Sequence, residues 1–100
     1  MKNICPQRLA IFAQILRDSP NITQTTQHSR IITTLLKLDG FNTWEARNEL
    51  NIMHPSGRVK ELREQGWQID TLRVKVFDDM GKAHTIAHYI LKGLPLGRAA

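Results

Sequence analysis

The fold is decided by the stretch from His54 to Phe77, which reads HPSGRVKELREQGWQIDTLRVKVF. In its first half, Val59 and Leu62 lie on one face of a predicted helix from His54 to Gln65. Gly66 ends this helix, because glycine readily takes the left-handed conformation found at helix C-termini. The period then changes to two, which is typical of a β-strand: Leu72, Val74 and Val76 alternate with Arg73, Lys75 and Phe77. The stretch predicts a helix followed directly by a strand.

The residues after this strand complete a β-hairpin. The run Asp78-Asp79-Met80-Gly81 is a turn signal. A return strand is predicted from Lys82 to Leu91, since it contains several residues that favour strands, namely Thr85, Ile86, Tyr89 and Ile90. Residues 93–100 are predicted to form a flexible tail.

Three more helices are predicted upstream of His54. The first runs from Pro6 to Asp18, with an apolar stripe at helical spacing formed by Leu9, Phe12, Ala13 and Leu16. A polar connector, residues 22–27, contains a cap for the second helix, which runs from Thr26 to Leu38. The third is short: it has Thr43 as its N-cap and reaches Leu50. Asn51, which tolerates positive φ, makes a tight break after it.

The order of these elements is helix, helix, short helix, tight turn, helix and hairpin. It is the order of a winged helix–turn–helix, here in a mainly α chain with a C-terminal β-hairpin and an additional N-terminal helix. We divide the chain into residues 1–27 (N-terminal helix and connector), 28–92 (winged helix–turn–helix domain) and 93–100 (tail). The predicted buried residues include Ile31, Leu35, Leu50, Val59, Leu62, Val74 and Tyr89.

Composition restricts the partners and the compartment. The 100 residues suffice for one compact domain, and the net charge of +5 favours a polyanion such as DNA. No apolar run approaches the roughly 20 residues that span a bilayer, so no membrane partner is predicted. The single cysteine, Cys5, excludes an internal disulfide. Together with the lack of a signal-peptide pattern, it predicts a cytoplasmic protein.

From His28 to Leu91 the chain resembles a family of small phage and prophage winged helix–turn–helix domains. The most specific match is Ser56–Ile69, which is similar to the family's pattern S-x-R-I-x-x-L-R-x-x-G-x-x-I, with Val59 in place of the commoner isoleucine. Further matching segments are Arg30-Ile31-Ile32, Leu35-Leu36, Thr43-Trp44-Glu45-Ala46, Leu50-Asn51-Ile52-Met53 and Ala87-His88-Tyr89-x-Leu91. The resemblance implies a DNA-binding fold in a phage or mobile-element setting. Residues 1–27 lie outside it.

The helix from His54 to Gln65 is the predicted recognition helix. Its first turns carry donors for base edges and phosphates, together with a glycine that lets the backbone approach closely: His54, Ser56, Gly57, Arg58 and Lys60. Lys60 is placed on a flank of the helix that reaches phosphate. The alternative is a solvated face on which Arg58 pairs with Glu61 and Lys60 pairs with Glu64. The two glutamates would repel phosphate, which predicts that contacts concentrate in the first turn and a half.

The hairpin is the predicted wing, with Arg73, Lys75 and Lys82 on the sugar–phosphate backbone or in the adjacent minor groove. The alternative is that these cations serve only solubility, as is common on exposed strands. Asp78 and Asp79 argue against deep insertion of the tip.

Neither a metal site nor an enzyme is predicted. His84 and His88 are four residues apart on a strand, about 13 Å at ~3.3 Å per residue, which is too far to share one ion. No phosphate loop, nucleophile elbow or metal motif is present, Cys5 is expected to be inert, and no cofactor is expected. Trp44 and Trp67 are expected to pack at helix–hairpin junctions rather than stack on bases.

The N-terminal helix has two interpretations. It either packs on its own domain as a fourth core helix, or it forms the seam of a homodimer through Leu9, Phe12, Ile15 and Leu16. The second interpretation is favoured, because a C2 dimer supplies two half-sites. It predicts that Phe12→Glu gives a folded monomer.

The sequence therefore predicts sequence-specific binding of double-stranded DNA by a phage or mobile-element transcriptional regulator without catalytic activity. Two rivals remain. One is a protein–protein adaptor built on a winged-helix scaffold. Acidic residues that interrupt the basic surface would support this alternative. The other is an architectural accessory of replication or recombination, which would discriminate weakly between sequences.

Overall fold

Four helices and three strands make up the part of the chain that the computed structural model describes, residues 5–21 and 23–94. They are α1 (Pro6–Asp18), α2 (Gln24–Lys37), β1 (Phe41–Asn42), α3 (Thr43–Asn48), α4 (Pro55–Glu64), β2 (Gln68–Phe77) and β3 (Ala83–Gly93). The predicted winged helix–turn–helix with an additional N-terminal helix is confirmed: α2, α3 and α4 are its three helices, and β2 and β3 form the wing. The tail was predicted to begin at Gly93, which is instead the last residue of β3; from position 95 onward the predicted tail lies outside the described residues. Within those residues, no helix is long and apolar enough to cross a membrane.

The first two helices begin in different ways. α1 has its predicted limits, with a proline in the first turn. α2 begins at Gln24, earlier than predicted, because the Thr23 hydroxyl accepts a hydrogen bond from the Thr26 amide at 3.2 Å. The cap expected within the connector is therefore present, but the connector itself ends at Thr23 rather than at Gln27.

The predicted N-cap of α3 is wrong by one residue. Asn42 is the cap: its Oδ1 accepts a hydrogen bond from the Glu45 amide at 2.8 Å, and Glu45 Oε1 accepts one from the Asn42 amide at 3.0 Å. This reciprocal pair is a capping box. The Thr43 hydroxyl instead donates to the Ala87 carbonyl of β3 at 3.4 Å. The break after α3 is as predicted, with Asn51 at φ 55°.

The wing extends from a three-stranded antiparallel sheet in the order β1-β3-β2. β1 was not predicted, because two residues are too few to show an alternating pattern. It pairs Phe41 with Tyr89, and the two rings lie 5.3 Å apart. Gly40 permits this pairing, since a Cβ at that position would overlap the Tyr89 carbonyl oxygen.

The core lies between the helices and the inner face of the sheet. Its buried apolar residues are Phe12, Ile15, Ile31, Leu35, Phe41, Ala46, Leu50, Ile52, Val59, Leu62, Ile69, Ala87 and Tyr89. The predicted buried set is confirmed except for Val74, which is only half-buried. Val74 pairs with Ile86 on the sheet face opposite to Ile69 and Tyr89, which is the face turned away from the buried core.

Helix α1 is part of this core. Phe12 and Ile15 are 1 % and 2 % exposed, which places the two middle residues of the favoured dimer seam inside their own chain. An ion pair also holds α1: the Arg8 guanidinium donates to both carboxylate oxygens of Glu45, at 2.9 and 3.0 Å, and to the Gly40 carbonyl at 2.9 Å. The structure thus agrees with the fourth-core-helix interpretation.

A buried arginine joins three segments. Arg30 of α2 is 3 % exposed, and its guanidinium donates to the carbonyl oxygens of Ser19, Asn21 and Leu50 at 2.7 to 3.0 Å. Burial lowers the pKa of this guanidinium. Ser19 and Asn21 follow α1 and Leu50 follows α3, so one side chain fixes the ends of two helices against a third.

Candidate nucleic-acid interface

Helix α4 presents one face to the core and the other to solvent. Pro55, Val59 and Leu62 are buried. Ser56, Lys60 and Glu64 follow one another at intervals of four residues, and all three are exposed. Lys60, predicted to lie on a flank of the helix, therefore has a side chain that reaches solvent.

The N-terminal end of α4 is open. His54 occupies the N-cap position, is exposed, and makes no side-chain capping hydrogen bond. The first N–H groups of a helix have no intrahelical acceptor and lie at the positive end of its dipole. A Cβ at Gly57 would meet only the His54 Cβ, at 4.0 Å, so packing does not require glycine there. The first turn of α4 therefore has room for an anion or a base edge.

Arg58 lies on the side of α4 that faces α2. Its Nη2 donates to Glu61 Oε2 at 3.2 Å, and its Nε lies 3.1 Å from Glu61 Oε1. The alternative in which Arg58 pairs with Glu61 is thus realised, whereas Lys60 forms no ion pair with Glu64 or any other described residue. Of the two ion pairs in that alternative, only the one between Arg58 and Glu61 is present.

Glu61 bridges two helices. Its Oε1 lies 2.7 Å from Nε2 of His28 on α2, a side chain that is 9 % exposed. Hydrogen bonds from His28 and Gln24, together with the charge of Arg58, hold the pKa of Glu61 below its ordinary value against the opposing effect of desolvation. His28 was not predicted as part of the site, because nothing local in the sequence connects α2 with α4.

The wing continues the exposed side of α4. Arg63 joins the two elements, donating from Nε to the Ile69 carbonyl at 2.8 Å and from Nη2 to the Thr71 hydroxyl at 2.6 Å. Arg73 and Lys75 follow Thr71 on the same face of β2, since they are two and four residues further along the strand. Both are exposed and form no ion pair with a described residue.

Positive charge collects where this wing face meets the helices. Burial raises the pKa of the Tyr89 phenol, and the charges of Arg73, Arg63 and Arg47 oppose that rise. These arginines come from β2, α4 and α3, and none has a carboxylate partner in the described part of the chain. Arg47 and Arg63 were not among the predicted contacts, because their proximity depends on how three elements pack.

The tip of the wing is held by an acidic residue. Asp78 Oδ1 accepts hydrogen bonds from the amides of Met80 and Lys82, each at 2.9 Å, and Oδ2 lies 2.8 Å from His84 Nε2. The side chain of Lys82 is exposed at this turn. The hydrogen bond from His84 and those from the two amides hold the pKa of Asp78 below its ordinary 3.8. Asp78 therefore organises the turn that carries Lys82.

We expect Asp78→Ala to loosen this turn at neutral pH. In the native chain the stabilisation is complete above the ordinary pKa of Asp78, and it is lost as the pH falls through the lowered pKa. Amide hydrogen exchange at Met80 and Lys82 measures the effect. Asp70→Ala, which removes the same charge at the other end of the hairpin, should leave both amides protected. Equal exchange in the two variants would contradict the role of Asp78.

The remaining candidates take structural positions. Trp44 packs edge-on against the His84 ring at 5.4 Å, and Trp67 packs against the core, as expected for the two tryptophans. His84 and His88 both lie in β3, and the described residues contain no group of three or more potential metal ligands. Cys5 is an exposed free thiol.

The sequence was also compared with known proteins. Residues 26–93 match the model of a family described as a winged helix-turn-helix domain. No curated protein and no solved structure matches the chain. The matched range begins inside α2 and ends with the last residue of β3, so it contains every residue predicted to contact DNA and leaves α1 outside.

Proposed function

Because this chain belongs to the winged helix–turn–helix domain family, we propose that it binds double-stranded DNA sequence-specifically and regulates transcription in a phage or other mobile element. One observation carries the proposal: the exposed side of α4 and the adjoining wing face bear cations that no described carboxylate neutralises, among them Lys60, Arg63, Arg73 and Lys75. Such a surface gains free energy by displacing counterions from phosphates. The proposed action is occupation of a DNA site, without chemistry.

In this proposal the N-terminal half of α4 enters the major groove. His54, Ser56 and Gly57 approach phosphates or base edges at the open helix end, and Lys60 contacts a phosphate from the exposed face. Arg58 reads a base, because a guanidinium can donate two hydrogen bonds to one guanine edge. The wing places Arg73, Lys75 and Lys82 along the neighbouring sugar–phosphate backbone.

The distribution of acidic groups favours DNA over the protein–protein adaptor. Acids that would interrupt the basic surface have internal partners: Glu61 is paired with Arg58 and His28, and Asp78 is paired with His84 and two backbone amides. Their charges are therefore partly neutralised before any partner arrives. Glu64 stays exposed on α4, which supports contacts confined to the N-terminal half of that helix.

We further propose that one copy occupies each site. With Phe12 and Ile15 in the core, a homodimer through α1 would rest on Leu9, which is 37 % exposed, and on the half-buried Leu16. Two such side chains provide far less than the roughly 800 Å² that each partner of a stable interface buries.

The test starts with selection of a preferred site from genomic fragments, followed by salt titrations on that site and on random duplex. Lys75→Ala and Lys82→Ala should each weaken binding to both duplexes alike and reduce the salt slope by about one unit. Arg58→Ala should cost about 1–3 kcal/mol on the selected site only. Lys92→Ala is the control, because Lys92 lies on the opposite face of the wing, near Asp70.

Each rival predicts a different outcome. If the wild-type protein binds neither duplex at low salt, DNA binding is wrong and the adaptor takes its place. If it binds both duplexes equally, the architectural role is correct and sequence-specific regulation is wrong.

A further inference from the structure

The ion pair between Arg58 and Glu61 uses only one edge of the guanidinium. Glu61 lies along the Nε–Nη2 edge, at 3.1 and 3.2 Å. Arg58 Nε is buried and makes no hydrogen bond, so its contact with Glu61 is electrostatic. A guanidinium has five N–H donors in a rigid fork, and contact along one side leaves the Nη1–Nη2 end available. That end can donate two parallel hydrogen bonds.

Arg58 is accessible from the N-terminal side of α4. It lines an open depression of about 320 Å³ together with Gln27 of α2 and with Asn51, Met53 and His54, which precede α4. Its side chain is 23 % exposed. One part of the side chain is therefore fixed against Glu61, while another borders open space at the helix end proposed to enter the groove.

Glu61 is itself held from the neighbouring helix. Its Oε1 contacts His28 Nε2 at 2.7 Å, closer than it lies to Arg58. His28 is almost fully buried and therefore has little freedom to move. The chain His28–Glu61–Arg58 thus runs from a rigid point in α2 to the surface of α4.

We propose that Glu61 is a positioning residue that holds Arg58 for end-on readout of a guanine, and that His28 holds Glu61 in place. This inference rests on the proposed DNA binding. Fixing the rotamer before binding removes entropy that a free arginine would lose in the complex. Support from a second side chain also confines the two donors to the geometry that one base edge requires. Glu61 therefore determines specificity without touching the base.

The same carboxylate has an opposite effect on affinity. A negative charge on the recognition helix repels phosphates of every sequence, so Glu61 weakens binding to all duplexes while sharpening the choice among them. Glu64 provides the comparison, because it lies on the same helix with the same charge and forms no ion pair with a described residue. It should repel phosphate without positioning an arginine.

The test compares Glu61→Gln with Glu64→Gln on the selected site and on random duplex. Both variants should bind random duplex more tightly than the wild-type protein. Only Glu61→Gln should lower the ratio of the two affinities, by about tenfold, as expected for a weakened bidentate contact. In an Arg58→Lys background, Glu61→Gln should change the ratio no further, because lysine has no fork to orient.

Thermal melts establish that each variant is folded. If Glu61→Gln does not fold, His28→Leu provides the same test, since leucine cannot hydrogen-bond to Glu61 and the carboxylate stays in place; this variant should also lower the ratio. A ratio unchanged in Glu61→Gln, or in His28→Leu where that variant is used, overturns the positioning role while leaving DNA binding intact. Failure of the wild-type protein to bind DNA overturns the proposed function itself.

Discussion

Arg30→Met is expected to lower the free energy of unfolding by about 3–5 kcal/mol. A charged hydrogen bond contributes roughly 1.5–3 kcal/mol, and a buried acceptor left unpaired costs roughly 1–3 kcal/mol. Arg30 donates to three carbonyl groups, those of Ser19, Asn21 and Leu50. Methionine is uncharged, so the variant avoids the cost of burying a guanidinium, and this gain offsets part of the lost stability. Methionine retains most of the side-chain volume, so the loss reports mainly on the hydrogen bonds.

Urea denaturation followed by circular dichroism measures this loss. The matched control is Arg17→Met, because Arg17 is exposed on α1 and its guanidinium donates a hydrogen bond to the side chain of Gln14, itself exposed. Its effect should stay within about 0.5 kcal/mol. Equal stability of the two variants would show that Arg30 does not join the helix ends.

Phe12→Ala is expected to destabilise the chain by about 3–5 kcal/mol without changing its mass in solution. Truncating a buried phenylalanine removes its transfer free energy and leaves a cavity. Phe12 is 1 % exposed and lies among residues of the main core, so its truncation lowers the free energy of unfolding of one chain rather than the affinity between two chains. The earlier expectation for Phe12→Glu, a folded monomer derived from a dimer, is replaced by loss of the fold.

Leu9→Ala is the control, since Leu9 lies on the same helix and is 37 % exposed. Its effect on stability should be several times smaller. Light scattering should give 11.5 kDa for the wild-type protein and for both variants. A wild-type mass of twice that value, halved in a folded Phe12→Ala variant, would restore the dimer seam and contradict the core position.

Most of the fold could be predicted, because its signals are local. The apolar spacing in α1 and α4 and the alternation along β2 each lie within one element, where side-chain direction depends on backbone geometry alone. The signals at the boundaries were less reliable. Thr43 and Asn42 are both good caps, and the choice between them depends on Glu45, which also receives Arg8 from α1.

The sequence predicted which helix and strands form the candidate site, but not the direction in which each side chain points. Placing the contacts on α4 and the wing followed from the order of elements, and the exposed positions of Lys60, Arg73 and Lys75 agree with it. The position of Arg58 could not be predicted, because the direction of a side chain near the edge of a helix face depends on the neighbouring helix. Helical spacing offered Glu61 to Arg58 and Glu64 to Lys60, but only the tertiary structure shows that the first pair forms and the second does not.

By itself, the sequence determined the four helices, the two strands of the wing, their order and most residues of the inner faces, because these follow from spacings of two to four residues. Only the tertiary structure decided which polar groups meet. Arg8 and Glu45 are 37 residues apart, His28 and Glu61 are 33 apart, and Arg30 and Leu50 are 20 apart. Such contacts form because a charge or carbonyl that leaves water must find a partner wherever the packed elements place one. That requirement joined Arg8 of α1 to Glu45 and set His28 against Glu61.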